Sequence, residues 1–334
     1  MNRQKWVRAG IIVFAALAVL VVGIIILRNN DQAQYKEARG QMSEGFGQLK
    51  TVEINGKTYR EKPAVTTILV CGVDKEQKNE DSEDSFKEYR RGGQADFLLL
   101  LAIDHTDKKI HQMQIDRDTM ADVITLSIFG KEAGSRVMQI CLAHAYGASP
   151  EDNAKYTVKA VRNLLGGIEI DGYYVIDYTG IPALNDALGG VTVHLDFDMT
   201  SVNPEWEKGK TITLHGKDAE TFVRTRQTIG AGTNEERMVR QGEYMRNAIS
   251  QMSRRIKADL GFADTLVETL KDLSVTNMTT KRLAEELKDV YGYQTLPVDH
   301  PAGEYTIGEN GLVEFHMEDG AAVKWVLEHM YMEV

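Results

Sequence analysis

Apolar positions along the chain fall into three kinds of pattern. The first is an unbroken run from Ala9 to Leu27 without a charge, long enough for one bilayer-spanning helix of roughly 17 to 25 residues. The second is a set of short, β-branched or continuously apolar runs that read as strands. Thr66–Val73, Phe97–Ile103, Ile110–Ile115, Tyr173–Tyr178 and Val191–Phe197 are of this kind, and Thr51–Arg60 reads as a hairpin turning at Asn55-Gly56. The third is helical spacing. Ser149-Pro150-Glu151-Asp152 is a helix start, with Val158, Val161 and Leu165 on one face and Gly166-Gly167 as its stop. Ile181–Leu188 is a short helix ended by Gly189-Gly190. Met238, Met245, Ile249, Met252 and Ile256 make one stripe of a long helix over Asn234–Ile256. Phe262 to Leu273 and Leu283 to Val290 give two more helices, and residues 296–334 a closing hairpin and a last helix. Strands alternating with helices predict an α/β fold with a mixed sheet.

The flanks of the first run orient it. Arg3, Lys5 and Arg8 precede it and Asp31 follows soon after Arg28, so the positive-inside rule places residues 1–8 in the cytoplasm. A cleaved signal peptide is the alternative, but no small-x-small site follows the apolar core. The expected organisation is therefore a cytoplasmic N-terminus (1–8), a transmembrane anchor (9–28), a juxtamembrane stalk with a small hairpin (29–62) and an extracytoplasmic domain (63–334). Formal net charge is −10, and setting aside Arg3, Lys5 and Arg8 leaves −13, which argues against a nucleic-acid partner. Cys71 and Cys141, the only cysteines, both sit in apolar settings and read as buried thiols rather than a disulfide.

No phosphate-binding GxxxxGK[ST] loop, GxGxxG, HExxH or GxSxG occurs, and the eight histidines lack metal-ligand spacing. Three features carry chemistry. Asp74 ends one buried strand and Asp96 begins the next. On neighbouring strands the two carboxylates could meet, repel unless a cation intervenes, and hold Mg²⁺ through oxygen; equally, each could merely cap its strand. Arg224 and Arg226 alternate, so on an extended segment both face one target, and arginine forks suit phosphate; a solvated pair in a loop is the bland reading. Arg237 and Gln241 share one face near the start of the long helix, where free backbone donors favour an anion, or else form an ordinary exposed turn. Arg117 adds a further cation at a strand end.

Gly72-Val73-Asp74, Gly93-Gln94-Ala95-Asp96, Ile115-Asp116-Arg117-Asp118-Thr119, Ala143-His144-Ala145-Tyr146-Gly147, Leu188-Gly189-Gly190-Val191, Arg224-Thr225-Arg226 and Arg237-Met238-Val239-Arg240-Gln241 stand in one order. In that order the chain resembles the LytR-CpsA-Psr family from about Thr66 to Ile256. The resemblance implies an α/β/α sandwich. It implies a membrane-anchored phosphotransferase that moves a glycopolymer from a polyprenyl-pyrophosphate carrier to peptidoglycan through a phosphodiester. Asp74 and Asp96 would hold Mg²⁺. Arg117, Arg224, Arg226 and Arg237 would carry catalysis at the pyrophosphate, with Gln94, Gln139, Arg240 and Gln241 binding substrate. A non-catalytic binder of polyprenyl pyrophosphates and a pyrophosphatase on the same lipid are the rival readings. Family members often carry Arg at the position of Gln94 and Lys at that of Gln139. Arg90, Arg91 or Arg136 are expected to replace part of the missing charge.

Overall fold

The computed structural model describes residues 51–54, 57–74, 92–127, 131–225, 229, 234–318 and 320–334, without the side chains at 52–54, 234–239 and 245. The apolar run 9–27, the stalk 29–50, and Arg90, Arg91 and Arg226 lie outside the described residues. Among the described residues no helix is long and apolar enough to cross a membrane.

The elements, in chain order, begin with β1 (Thr51–Ile54), β2 (Lys57–Glu61), β3 (Val65–Asp74), β4 (Gln94–Asp104), β5 (Lys109–Ile115), β6 (Met120–Leu126) and β7 (Glu132–Gln139). A 3₁₀ segment (Ile140–Ala145) leads to α1 (Pro150–Leu164), β8 (Gly172–Asp177), α2 (Gly180–Ala187), β9 (Val191–His194), β10 (Thr211–Leu214), α3 (Lys217–Arg224) and α4 (Asn234–Ala258). The chain closes with α5 (Gly261–Leu270), β11 (Ser274–Thr276), α6 (Thr280–Val290), β12 (Gln294–Asp299), β13 (Gly303–Ile307), β14 (Val313–Met317), α7 (Ala321–Met330) and β15 (Tyr331–Glu333).

The central sheet has six strands in the order β11-β8-β3-β4-β5-β12. β8 runs parallel to β3 and β12 to β5, while β3–β4, β4–β5 and β8–β11 are antiparallel, so the sheet is mixed as predicted. Strand periodicity sorts its side chains into two cores. Ile68, Val70, Leu99, Leu101 and Ile103 pack against Leu184 of α2, Met252 and Ile256 of α4, Leu266 of α5 and Leu287 of α6. Leu69, Cys71, Leu98, Leu100 and Ala102 pack against Ile140, Ala154 and Val161 of α1, and Trp325 and Val326 of α7. Helices thus cover both faces, which is the α/β/α sandwich. Both cysteines are free and buried.

The helix signals act as read. Ser149 Oγ accepts from the Asp152 amide at 3.2 Å, and Gly166 and Gly167 stop α1 at φ +76° and +84°. Segments without clean periodicity differ from the sequence reading. Met120–Leu126 and Glu132–Gln139, β6 paired with β7, form a ribbon that carries no sequence signal because all of β7 except its last two residues is exposed. The extended run after Gly190 ends at His194 and pairs with the unforeseen β10. β15 adds to β2, so residues 51–61 are joined to the last residues of the chain.

Three histidines make the fold acid-sensitive. His111 of β5 stacks on His329 of α7 with ring centroids 4.2 Å apart. Burial, aided by His329, pushes the pKa of His111 down to about 4; burial lowers His329, and pushes His300 down to about 4. The Nε2 of His300 has no hydrogen-bond partner among the described residues. These rings fold neutral, while the unfolded chain protonates near 6.5. The stabilising contribution of these three rings is therefore complete above about 6.5 and declines as pH falls toward about 4. Urea midpoints measured across that window should fall steadily, less so in His300→Gln; a flat profile would contradict the assignment.

Candidate active site at the end of strands β3, β4 and β8

The site forms where β3 and β8 end and β4 begins, at the carboxyl ends of two parallel strands, where α/β sheets bind ligands. Asp74 closes β3 and pairs across the ladder with Gln94, the first residue of β4. Between these strands Gly72 pairs with Phe97 and Val73 with Ala95, so Asp96 is the extra residue of a β-bulge. It lies inside β4 rather than before it, because the strand starts at Gln94, earlier than the apolar run shows. A bulge re-aims a side chain that a regular strand would point elsewhere. Here Asp96 and Gln94 both accept from one guanidinium, that of Arg117, through Nη1 and Nη2 respectively.

Arg117 follows β5 and is enclosed further. Asp118 Oδ1 lies 3.4 Å from its Nε, and Cys141 Sγ 3.4 Å from its Nη2. Burial opposes the charge on Arg117, but Cys141, Asp96 and Asp118 outweigh it and hold the pKa above the ordinary arginine value. Burial pushes the Cys141 thiol up to about 11, against the pull of Arg117, so it stays protonated. Gln139 reaches the same cluster indirectly: its Nε2 donates to Asp118 Oδ1 at 3.0 Å and to the Val313 carbonyl at 2.7 Å.

Arg224 supplies the second guanidinium. It is the last residue of α3, not part of an extended segment, so the alternation argument that paired it with Arg226 does not apply. The helix instead aligns Arg224 with Glu220 one turn back. Nη1 donates to Glu220 Oε1 at 2.7 Å and Nη2 to Asp74 Oδ1 at 2.9 Å, with the guanidinium 5.0 Å from the centre of the Tyr178 ring. Burial opposes this charge too, but Glu220 and Asp74 hold the pKa above its ordinary value.

Arg240 and Gln241 are buried and serve the C-terminus of α3. Arg240 donates through Nε to the Phe222 carbonyl at 3.2 Å and through Nη2 to that of Thr225; Gln241 Nε2 donates to the Val223 carbonyl at 3.1 Å. They satisfy carbonyls left over at a helix end, and so fix the residue between them, Arg224. Arg240→Met would strand those acceptors, and should lower unfolding free energy by about 3 kcal/mol in urea titrations. An unchanged midpoint would remove Arg240 from this role. Arg237 lies in the first turns of α4, with its side chain outside the described residues. Arg136 is exposed and three residues from Gln139, hence on the opposite face of β7; period-two alternation turns it away from the cluster. Glu220, Tyr178, Asp118 and Cys141 are the site members that sequence reasoning missed. Glu220 had a signal, the i, i+4 spacing to Arg224, visible only once 217–224 is read as a helix.

The donor set can be tested against Mg²⁺. Among the described residues there is no cluster of three or more His, Cys, Asp or Glu that could hold a metal. Asp74 and Asp96 are two carboxylates at one sheet edge. Mg²⁺ is commonly held by one or two carboxylates together with phosphate oxygens and water. The residues fit an ion that arrives with a phosphorylated substrate, not an all-protein cage.

Comparison with known proteins agrees with this architecture. A polyisoprenyl-teichoic acid–peptidoglycan teichoic acid transferase, TagU, of Halalkalibacterium halodurans is 28% identical over 166 residues, 50% of this chain and 46% of that protein. The chain thus spans about half the length of that relative. A Bacillus cereus protein of the same name is 25% identical over 279 residues, 83% of this chain and 81% of its own. The crystal structure of B. subtilis TagV superposes with a TM-score of 0.59 at 23% identity, over 80% of this chain and 98% of that one, and shows the same fold. The LytR_cpsA_psr family model matches residues 24–315, and the chain belongs to the LytR-CpsA-Psr family.

Proposed function

We propose that this chain is a phosphotransferase that moves a glycopolymer from a polyprenyl-pyrophosphate carrier to a hydroxyl of peptidoglycan. One observation carries the reading. The Asp74–Arg224 and Asp96–Arg117–Gln94 groups meet on adjoining rungs of one ladder, so two guanidiniums and two carboxylates converge at a strand edge. The names of the relatives support the same substrate class.

The acceptor oxygen forms a bond to the phosphorus that bears the glycopolymer. The phosphoanhydride breaks, polyprenyl phosphate leaves, and the acceptor proton passes to solvent or a nearby base. Such a transfer needs positioning and charge neutralisation more than covalent help. Arg117 and Arg224 would exchange carboxylate partners for phosphate oxygens, a substitution of one set of charge-assisted bonds for another. Mg²⁺, held by Asp74 and Asp96, would neutralise the carboxylates that the arginines release and polarise the phosphoryl oxygens. Gln94 keeps one edge of Arg117 in a neutral hydrogen bond, so no second cation is needed beside Asp96. Arg226 and Arg237 complete the anion's surroundings in this proposal, and Gln139 acts through Asp118.

The proposal places residues 1–8 in the cytoplasm, 9–28 in the membrane and the rest outside. Protease added to intact spheroplasts should remove the domain; full protection would contradict this placement. For the site, detergent-purified full-length protein should bind polyprenyl pyrophosphate in a Mg²⁺-dependent way, and Arg224→Ala should bind far less. Equal affinity in the two would overturn the assignment.

A further inference from the structure

Five of the large exposed apolar side chains gather on two hairpins that share hydrogen bonds. Val137 of β7, Tyr305 and Ile307 of β13, Leu312, and Val313 of β14 are each between 41% and 68% exposed. The ladder gives the β13–β14 hairpin two unlike faces. Tyr305 pairs with Phe315 and Ile307 with Val313 on one; Glu304 pairs with His316 and Thr306 with Glu314 on the other. Phe315, at the base, is buried, and its amide donates to the Asp118 carbonyl at 2.8 Å. The apolar face therefore starts as a packed surface and runs on uncovered through Ile307 and Val313, about 7 Å of strand at ordinary rise, while Leu312, whose carbonyl accepts from the Gly308 amide one rung further on, turns to the other face at the hairpin tip.

This uncovered face adjoins the arginine cluster. Gln139 joins β7 to the Val313 carbonyl and to Asp118, which touches Arg117. The Tyr305 hydroxyl donates to Asp116, the residue before Arg117. We infer that Tyr305, Ile307, Val313 and Val137 form a membrane-contact face that dips into the lipid interface and holds the arginine cluster at head-group depth.

Three considerations point to a lipid surface. In the placement proposed above, the apolar run Ala9–Leu27 ties the chain to a bilayer, and only 22 residues, 29 to 50, separate that run from the domain. The tether keeps the domain near the bilayer without choosing which side faces it. Excluding Arg3, Lys5 and Arg8, the chain carries −13, so an anionic bilayer repels most of its surface. The hairpin turns Glu304 and Glu314 to the opposite face, which leaves an apolar surface rimmed by the polar end of Tyr305 and by exposed Glu309 at the turn, suited to dipping about 5–10 Å with those polar groups at head-group level. The inference rests on the reading that the site takes a lipid pyrophosphate, whose phosphates lie at that depth.

The test uses the full chain, one copy per nanodisc of phosphatidylcholine without any pyrophosphate lipid. A fluorescent label is placed by Val313→Cys, and in a reference protein by Glu304→Cys; native Cys71 and Cys141 are buried. The label at Val313→Cys should be quenched by acyl-brominated lipid and shielded from aqueous iodide, with the reverse at Glu304→Cys. Ile307→Cys should repeat the first pattern. Iodide quenching at all three positions overturns the inference. So does shielding that appears only with two copies per disc, which would mark a self-association surface, or only after anionic lipid is added. Polyprenyl-pyrophosphate binding by the same labelled chains separates the two readings. Binding without lipid contact refutes the surface alone, whereas binding insensitive to Arg224→Ala refutes the functional reading.

Discussion

Asp96→Asn should abolish transfer, by at least about a hundredfold, and also destabilise the protein, whereas Asp74→Asn should cost activity with little loss of stability. The two carboxylates have the same proposed task but different surroundings. The Asp96 side chain is 9% exposed and faces Arg117, itself 22% exposed. Removing a charge from a largely buried pair leaves the other uncompensated, which costs about 3–5 kcal/mol. For a domain of this size that corresponds to a fall in Tm of roughly 5–15 °C. Asp74 and Arg224 are 40% and 41% exposed, where solvent screens the pair and the stability term is about 0–1 kcal/mol. Thermal melts and transfer rates on the two variants read the contrast directly. Equal melting with retained activity in Asp96→Asn would remove Asp96 from the site.

Arg224→Lys should reduce transfer about 10- to 100-fold while leaving stability nearly unchanged. The guanidinium spans Asp74 and Glu220 with two separate nitrogens and lies over Tyr178. An ammonium keeps the charge but cannot span both carboxylates in a fixed plane or present a fork to phosphate. The loss of one charge-assisted contact to a desolvated anion is about 1.5–3 kcal/mol, which sets the expected range. Glu220→Gln should show a smaller loss in the same direction, because it loosens the fork without removing it. Rates for Arg224→Lys equal to wild type would mean that charge alone suffices there.

The buried strands and amphipathic helices were legible because their side chains answer to one local period. Leu98 to Ile103 must face helices on both sides, so the run is apolar throughout, and Ile249, Met252 and Ile256 of the long helix's stripe lie on the core. β6 and β7 were not legible, since β7 is exposed on both faces and its sequence carries no alternation. At the site, Asp74, Asp96, Arg117 and Arg224 could be named from strand ends and charge. Their pairing could not, because it depends on one extra residue in β4 and on the helical end of α3. Gln94 illustrates the limit. Read as a missing cation, it is in fact an acceptor for Arg117, a role fixed only by the ladder position opposite Asp74. Gln241 read as a ligand because it shares a helix face with Arg237, and Arg240 through the family motif; each also donates to carbonyls at the end of α3, a role that no local pattern reveals.

The most direct test is a transfer reaction with full-length protein, a polyprenyl-pyrophosphate-linked glycopolymer, peptidoglycan and Mg²⁺, followed by ³¹P NMR of the washed peptidoglycan. The account predicts a new phosphodiester signal with equimolar release of polyprenyl phosphate, both lost in Arg117→Ala and with chelator. Release of polyprenyl phosphate without any phosphodiester on peptidoglycan would contradict it and identify a pyrophosphatase instead.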